Sequence, residues 1–95
     1  DFTGQTRKIP GSGKIDLRFE QVDSTYIVYL TNGLRTPQEV TVQFRLVNLV
    51  PGKKGPITLT VGGETEVFVT LLKAVPGATV FEYGYALRYR PVSAP

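Results

Sequence analysis

The stretch IDLRFEQVDSTYIVYLT, residues 15–31, decides the fold class. Ile15, Leu17 and Phe19 alternate with Asp16, Arg18 and Glu20. Successive side chains of an extended chain leave opposite faces, so this pattern predicts a strand with one apolar and one wet face. Val22-Asp23-Ser24 reads as a turn, since Asp and Ser bond their own backbone and interrupt the alternation. Residues 25–31 (TYIVYLT) are apolar on both faces, as expected of a strand in the middle of a sheet.

The period of two continues outward from this pair. Asn32-Gly33 signals a turn, and Thr36-Pro37 prolongs the loop. Val40, Val42, Phe44 and Leu46 then alternate with Thr41, Gln43, Arg45 and Val47 in a long third strand. PGKKGP, residues 51–56, is a loop whose Lys53-Lys54 pair serves to keep a turn soluble. Ile57, Leu59 and Val61 alternate with Thr58 and Thr60, and Gly62-Gly63 predicts a tight hairpin turn. In TEVFVTLL, residues 65–72, Val67, Val69 and Leu71 are expected on one face, with Phe68 and Leu72 on the other. After the Pro76-Gly77 break, Phe81, Tyr83, Tyr85, Leu87 and Tyr89 share one face of a last strand. Val80, Glu82, Gly84, Ala86, Arg88 and Arg90 share the other, and Pro91 ends it.

Nothing has helical spacing. Short strands separated by Gly/Pro turns predict an all-β, immunoglobulin-like antiparallel β-sandwich of six to seven strands, with a small barrel as the alternative. Residues 1–13 (DFTGQTRKIPGSG) read as a flexible N-terminal arm or linker with a short strand near residues 7–9. The sandwich is expected over residues 14–91 and a tail over 92–95. Its core is expected to draw on Phe19, Val28 or Tyr29, Phe44, Leu59, Val69, Phe81, Tyr83, Tyr85 and Leu87.

Composition narrows the chemistry. The 95 residues make one domain, 41% apolar and 20% charged, with ordinary folded-protein balance. There is no Cys and no His. A neutral-pH acid/base, an ordinary zinc site and the His-dependent triads are therefore unavailable, and the chain is expected to be no enzyme and to need no cofactor. No apolar run approaches the ~18 residues of a membrane span, so no membrane insertion is expected. No leader is read within the chain. A net charge of +3 is too weak to suggest nucleic acid.

Three groups of side chains are candidate sites. The aromatic row of the last strand has the density of a sugar-binding platform, but Phe and Leu share its face, so a place in the core is the expected reading. Arg88 and Arg90 leave the opposite face about 7 Å apart. With Arg45, on the wet side of a strand expected to neighbour the last one, they are the candidate binding residues for an anionic polymer or an acidic surface. The plainer role for these arginines is to blunt an edge strand. Glu64 and Glu66 stand two apart and would share a face if both lay in a strand, yet nothing builds a catalytic cleft around them.

The stretches YIVYLTNG (26–33), PQEVTVQFRLVN (37–48), PITLTVGGETEVFVTLL (56–72) and FEYGYALRYR (81–90) follow one another in a recognisable order. Together they resemble the β-sandwich that precedes the catalytic domain in some bacterial lysostaphin-type zinc metallopeptidases, which cut peptidoglycan cross-links. The peptidase domain, with its zinc ligands, has no counterpart here, so no catalytic residue carries over. The resemblance implies an extracytoplasmic setting in a bacterium, in the periplasm or at the cell surface. It also implies a non-catalytic accessory role, with a protein or a cell-wall polymer as partner. A carbohydrate-binding module and an assembly sandwich that pairs by adding a strand are the rivals. Exposure of Tyr83, Tyr85 and Tyr89 would favour the first, and a long unpaired edge the second.

Overall fold

A computed structural model describes residues 6–52 and 55–92. The Lys53-Lys54 pair, and the outer ends of the expected arm and tail, lie outside the described residues. Eight strands follow one another: β1 (Thr6–Lys8), β2 (Ile15–Val22), β3 (Thr25–Asn32), β4 (Gln38–Val47), β5 (Leu49–Pro51), β6 (Ile57–Val61), β7 (Thr65–Ala74) and β8 (Glu82–Pro91). They form two antiparallel sheets. The larger has the order β1-β7-β3-β2, with β5 also pairing with β7, and the smaller has the order β6-β4-β8.

The deciding stretch forms the β2–β3 hairpin, in register from Ile15 opposite Asn32 to Val22 opposite Thr25. Asp23 turns the chain at φ 55°, a left-handed conformation that Asp tolerates better than most residues. β3 lies between β2 and β7, the central place its two apolar faces called for. Val28 and Leu30 meet Val40, Val42, Ile57, Val61 and Leu72 in the buried core between the sheets. Each such aliphatic side chain taken from water contributes roughly 1.5–3 kcal/mol.

Several expectations are corrected. The short strand expected near residues 7–9 is present but one residue earlier, as β1, whose Thr6, Arg7 and Lys8 face Val67, Glu66 and Thr65 of β7. Leu49–Pro51 adds β5 on the same side of β7, opposite Ala74 to Leu72, after Asn48 turns at φ 58°. Gly62-Gly63 is no hairpin turn, because β6 and β7 belong to different sheets. It is a corner, and its requirement for glycine is steric: a Cβ on Gly63 would stand 2.1 Å from the Arg35 carbonyl oxygen.

The faces of β7 also differ from expectation. Its register against β3 jumps from Thr70 opposite Val28 to Phe68 opposite Tyr29, leaving Val69 as an extra bulged residue. The bulge resets the alternation. Leu72, opposite Tyr26, is fully buried, while Leu71, opposite Ile27, lies on the outer side.

Asn32, read as part of a turn, is fully buried. Its Nδ2 donates to the carbonyls of Thr36 (3.0 Å), Val61 (3.1 Å) and Gly62 (3.1 Å), and its Oδ1 accepts from Leu34 N–H (2.9 Å). One side chain thereby fastens the end of the hairpin to the corner between the sheets.

Candidate functional site

β8 pairs with β4 along its full ten residues, from Glu82 opposite Val47 to Pro91 opposite Gln38. Its other side meets no strand among the described residues. Tyr83, Tyr85, Leu87 and Tyr89 stand opposite Leu46, Phe44, Val42 and Val40. Directly opposed residues project to one face, so the aromatic row faces the interior side of the sandwich, as its spacing implied.

The row is nevertheless not buried. Tyr83 is 49% exposed, Tyr85 39%, Tyr89 54%, and Phe81, which precedes the strand, 39%. Their expected place in the core is corrected, and the cause is topological. An edge strand is covered on one flank only, and the opposing strand β2 is itself the edge of the larger sheet. The rings therefore lean across an open seam. Phe19 of β2 lies 4.6 Å from Tyr83 and 5.8 Å from Tyr85, and Tyr26 lies 6.4 Å from Tyr83, all tilted. The Tyr85 hydroxyl donates to Asp16 Oδ1 at 2.8 Å. That bond, with partial burial, holds the phenol above its usual pKa.

The outer face of β8 carries the arginines. Arg88 stands opposite Thr41, Arg90 opposite Glu39 and Arg45 opposite Gly84. The expected adjacency of β4 and the last strand holds. The three guanidiniums do not converge, however. Arg90 is engaged by Glu39, Nε–Oε1 3.0 Å and Nη2–Oε1 2.9 Å. Arg45 lies level with Gly84, four residues and about 13 Å along the strand from Arg88. Gly84, lacking a side chain, leaves a surface depression there, lined by Gln43, Arg45 and Ala86.

Glu64 and Glu66 form no carboxylate pair. Glu64 sits at φ 50° ahead of β7, outside the strand. Glu66 is buried and clamped by Arg18, with Nε–Oε2 2.9 Å and Nη2–Oε1 2.6 Å, and by Arg7 Nη2 at 3.1 Å. Arg18 also pairs with Glu20 and lies 4.3 Å above the Tyr29 ring. These bonds hold Glu66 below the usual carboxylate range. A doubly paired carboxylate held toward its ionised form acts as a clamp between β1, β2 and β7.

Among the described residues no cluster of three or more metal-ligating side chains occurs, and no helix is long and apolar enough to cross a membrane. No family model, curated protein or solved structure matches the chain. What sequence reasoning missed is the exposure of the aromatic row. The available signal was the opposite face of the same strand: Glu82, Gly84, Arg88 and Arg90 are the charges and small residues of an edge.

Proposed function

We propose that this chain is a non-catalytic protein-interaction domain, acting beside a cell-wall peptidase in the extracytoplasmic space of a bacterium, and that its binding surface is the seam between β2 and β8. The observation that supports the reading is a ten-residue edge strand, open on one side among the described residues, whose tyrosines stand 39–54% exposed. Unpaired N–H and C=O groups along such an edge are a template for an added strand, and the alternate side chains supply selectivity. The peptidase connection rests on the resemblance of residues 26–90 to the accessory sandwich described above.

A carbohydrate-binding role is the second reading, favoured by the exposure of Tyr83, Tyr85 and Tyr89. Against it, Tyr83 and Tyr85 already rest against Phe19 at 33° and 39°, so they do not form one flat stacking surface. The two readings separate in amide hydrogen exchange on the purified chain. Diluted until it is monomeric, it is mixed in turn with a purified lysostaphin-type catalytic domain and with purified peptidoglycan sacculi. Slowed exchange along Glu82–Pro91 with the catalytic domain alone is expected. Sacculi that bind, and lose binding on Tyr83→Ala and Tyr89→Ala, would turn the assignment to carbohydrate. No change in β8 with either would overturn the peptidase-linked reading.

A further inference from the structure

We infer that the strand added to β8 is β8 of a second copy of this chain, which gives a two-fold symmetric dimer. The inference rests on the reading of β8 as the binding edge and names the strand that fills it when the chain is alone in solution.

The argument is one of register. A two-fold axis normal to the sheet sets β8 antiparallel to itself and keeps core-side residues opposite core-side residues. If the axis passes at Tyr85, Tyr85 meets Tyr85 of the second copy. Tyr83 then meets Leu87, Gly84 meets Ala86, and Glu82 meets Arg88. By symmetry the last three pairs each occur twice. On the core side the strand thus places aromatic and aliphatic residues together. On the outer side it places small against small and acid against base. Neither Glu82 nor Arg88 makes a salt bridge within the chain among the described residues, so both charges are available.

Neighbouring registers lack this match. An axis at Ala86 sets Arg88 against Gly84, and Glu82 against an Arg90 already held by Glu39. An axis at Gly84 sets Glu82 against Ala86 and Arg88 against Val80. An axis at Leu87 sets Glu82 against Val92 and Arg88 against Ala86. Charge complementarity therefore selects the Tyr85 axis. The dimer joins the two small sheets into one, β6-β4-β8-β8-β4-β6, removes the exposed edge and brings together the two Phe19–Tyr83–Tyr85 clusters.

Sedimentation equilibrium of the purified chain, with two complementary reversals, tests this. The unaltered chain is expected to be dimeric. Glu82→Arg and Arg88→Glu alone should each weaken the dimer by about tenfold or more, because two attractive cross-strand pairs become two repulsive ones. The double variant should recover it. Both positions are exposed and carry no ion pair among the described residues, so far-UV circular dichroism should be unchanged throughout. In a chain without cysteine, Tyr85→Cys should form an intermolecular disulfide on mild oxidation, and Leu87→Cys should not, because only residue 85 meets itself. A monomer at every concentration, or a dimer indifferent to the charge reversals, overturns the proposal. The failures are distinguishable: a monomer whose β8 is protected by the catalytic domain removes the dimer and keeps the interaction domain, and a β8 protected by neither removes both.

Discussion

The Tyr85 hydroxyl donates a 2.8 Å hydrogen bond to the Asp16 carboxylate, joining β8, an edge strand of the small sheet, to β2, an edge strand of the large one. It ties down the middle of the aromatic row. Donation to Asp16 is the first cause of the raised Tyr85 pKa, and partial burial the second. A pKa raised in the folded state means the folded chain binds the proton more tightly. The associated stability is present below the ordinary tyrosine value of about 10 and is lost as pH climbs through the folded value. In a pH titration followed by the tyrosine ring-carbon resonances, Tyr85 should ionise above the ordinary value. Asp16→Ala should bring it down. Ordinary titration in both proteins would mean that the bond does not form in solution.

Exposure along the row sets its contribution to stability. Leu30 is fully buried, whereas Phe81 is 39% exposed. Leu30→Ala should cost about 2–5 kcal/mol in denaturant unfolding. Phe81→Ala should cost under about 1 kcal/mol, the range of a surface change. Equal losses at the two positions would place Phe81 back in the core.

What could be read from the residues, and what could not, divides along a physical line. Period two identifies strands because it depends only on neighbours in the chain, and Ile15–Val22, Thr25–Asn32 and Ile57–Val61 fall close to where alternation puts them. It also placed Tyr83, Tyr85, Leu87 and Tyr89 on the interior side. Whether a residue on that side is covered depends on strand order, which alternation does not encode; β8 is an edge, so its tyrosines are half open. The Val69 bulge shifts faces without any composition signal. Pro51 disguised β5 as loop, and Gly62-Gly63 looks alike in a hairpin and in a corner. Alternation puts Arg45, Arg88 and Arg90 on the face away from the aromatic row, and β4 and β8 are neighbours. Their spacing, and the capture of Arg90 by Glu39, follow from a register that only the paired strands reveal.

Glu66 makes the fold acid-sensitive. Its pKa is lowered chiefly by the Arg18 hydrogen bonds, against the opposing effect of burial. The folded chain thus binds this proton more weakly than the unfolded one. The stability it contributes is present above the unfolded glutamate value of about 4.3 and is lost as pH falls through the lowered folded value. Arg7 and Arg18 are partly solvated, which screens the interaction. Glu66→Gln should therefore cost about 1–3 kcal/mol at pH 7 and flatten the decline in melting temperature between pH 5 and the acid limit. An unchanged acid profile would show that the clamp does not contribute.

Asn32 is expected to be the most sensitive polar residue of the chain. It is fully buried, gives its amide to the carbonyls of Thr36, Val61 and Gly62, and accepts from Leu34 N–H. Its neighbour Gly33 adds backbone bonds to Gly13 (3.0 Å) and Lys14 (2.8 Å), so the same end of the sandwich also anchors the chain entering β2. Asn32→Ala leaves the Val61 carbonyl short of a partner at a buried position. A buried polar group so orphaned costs about 1–3 kcal/mol, and the vacated volume adds to it. The total expected is about 2–4 kcal/mol, read as a lower denaturant midpoint. Asn32→Asp tests whether bonding or size is responsible, because it keeps the volume and the acceptor but removes both amide donors and brings an unpaired negative charge beside three carbonyls. It should be at least as damaging as Asn32→Ala at pH 7. If Asn32→Asp were instead tolerated there while Asn32→Ala was not, filling the space would be what matters, and the hydrogen-bonded fastening of hairpin to corner would be refuted.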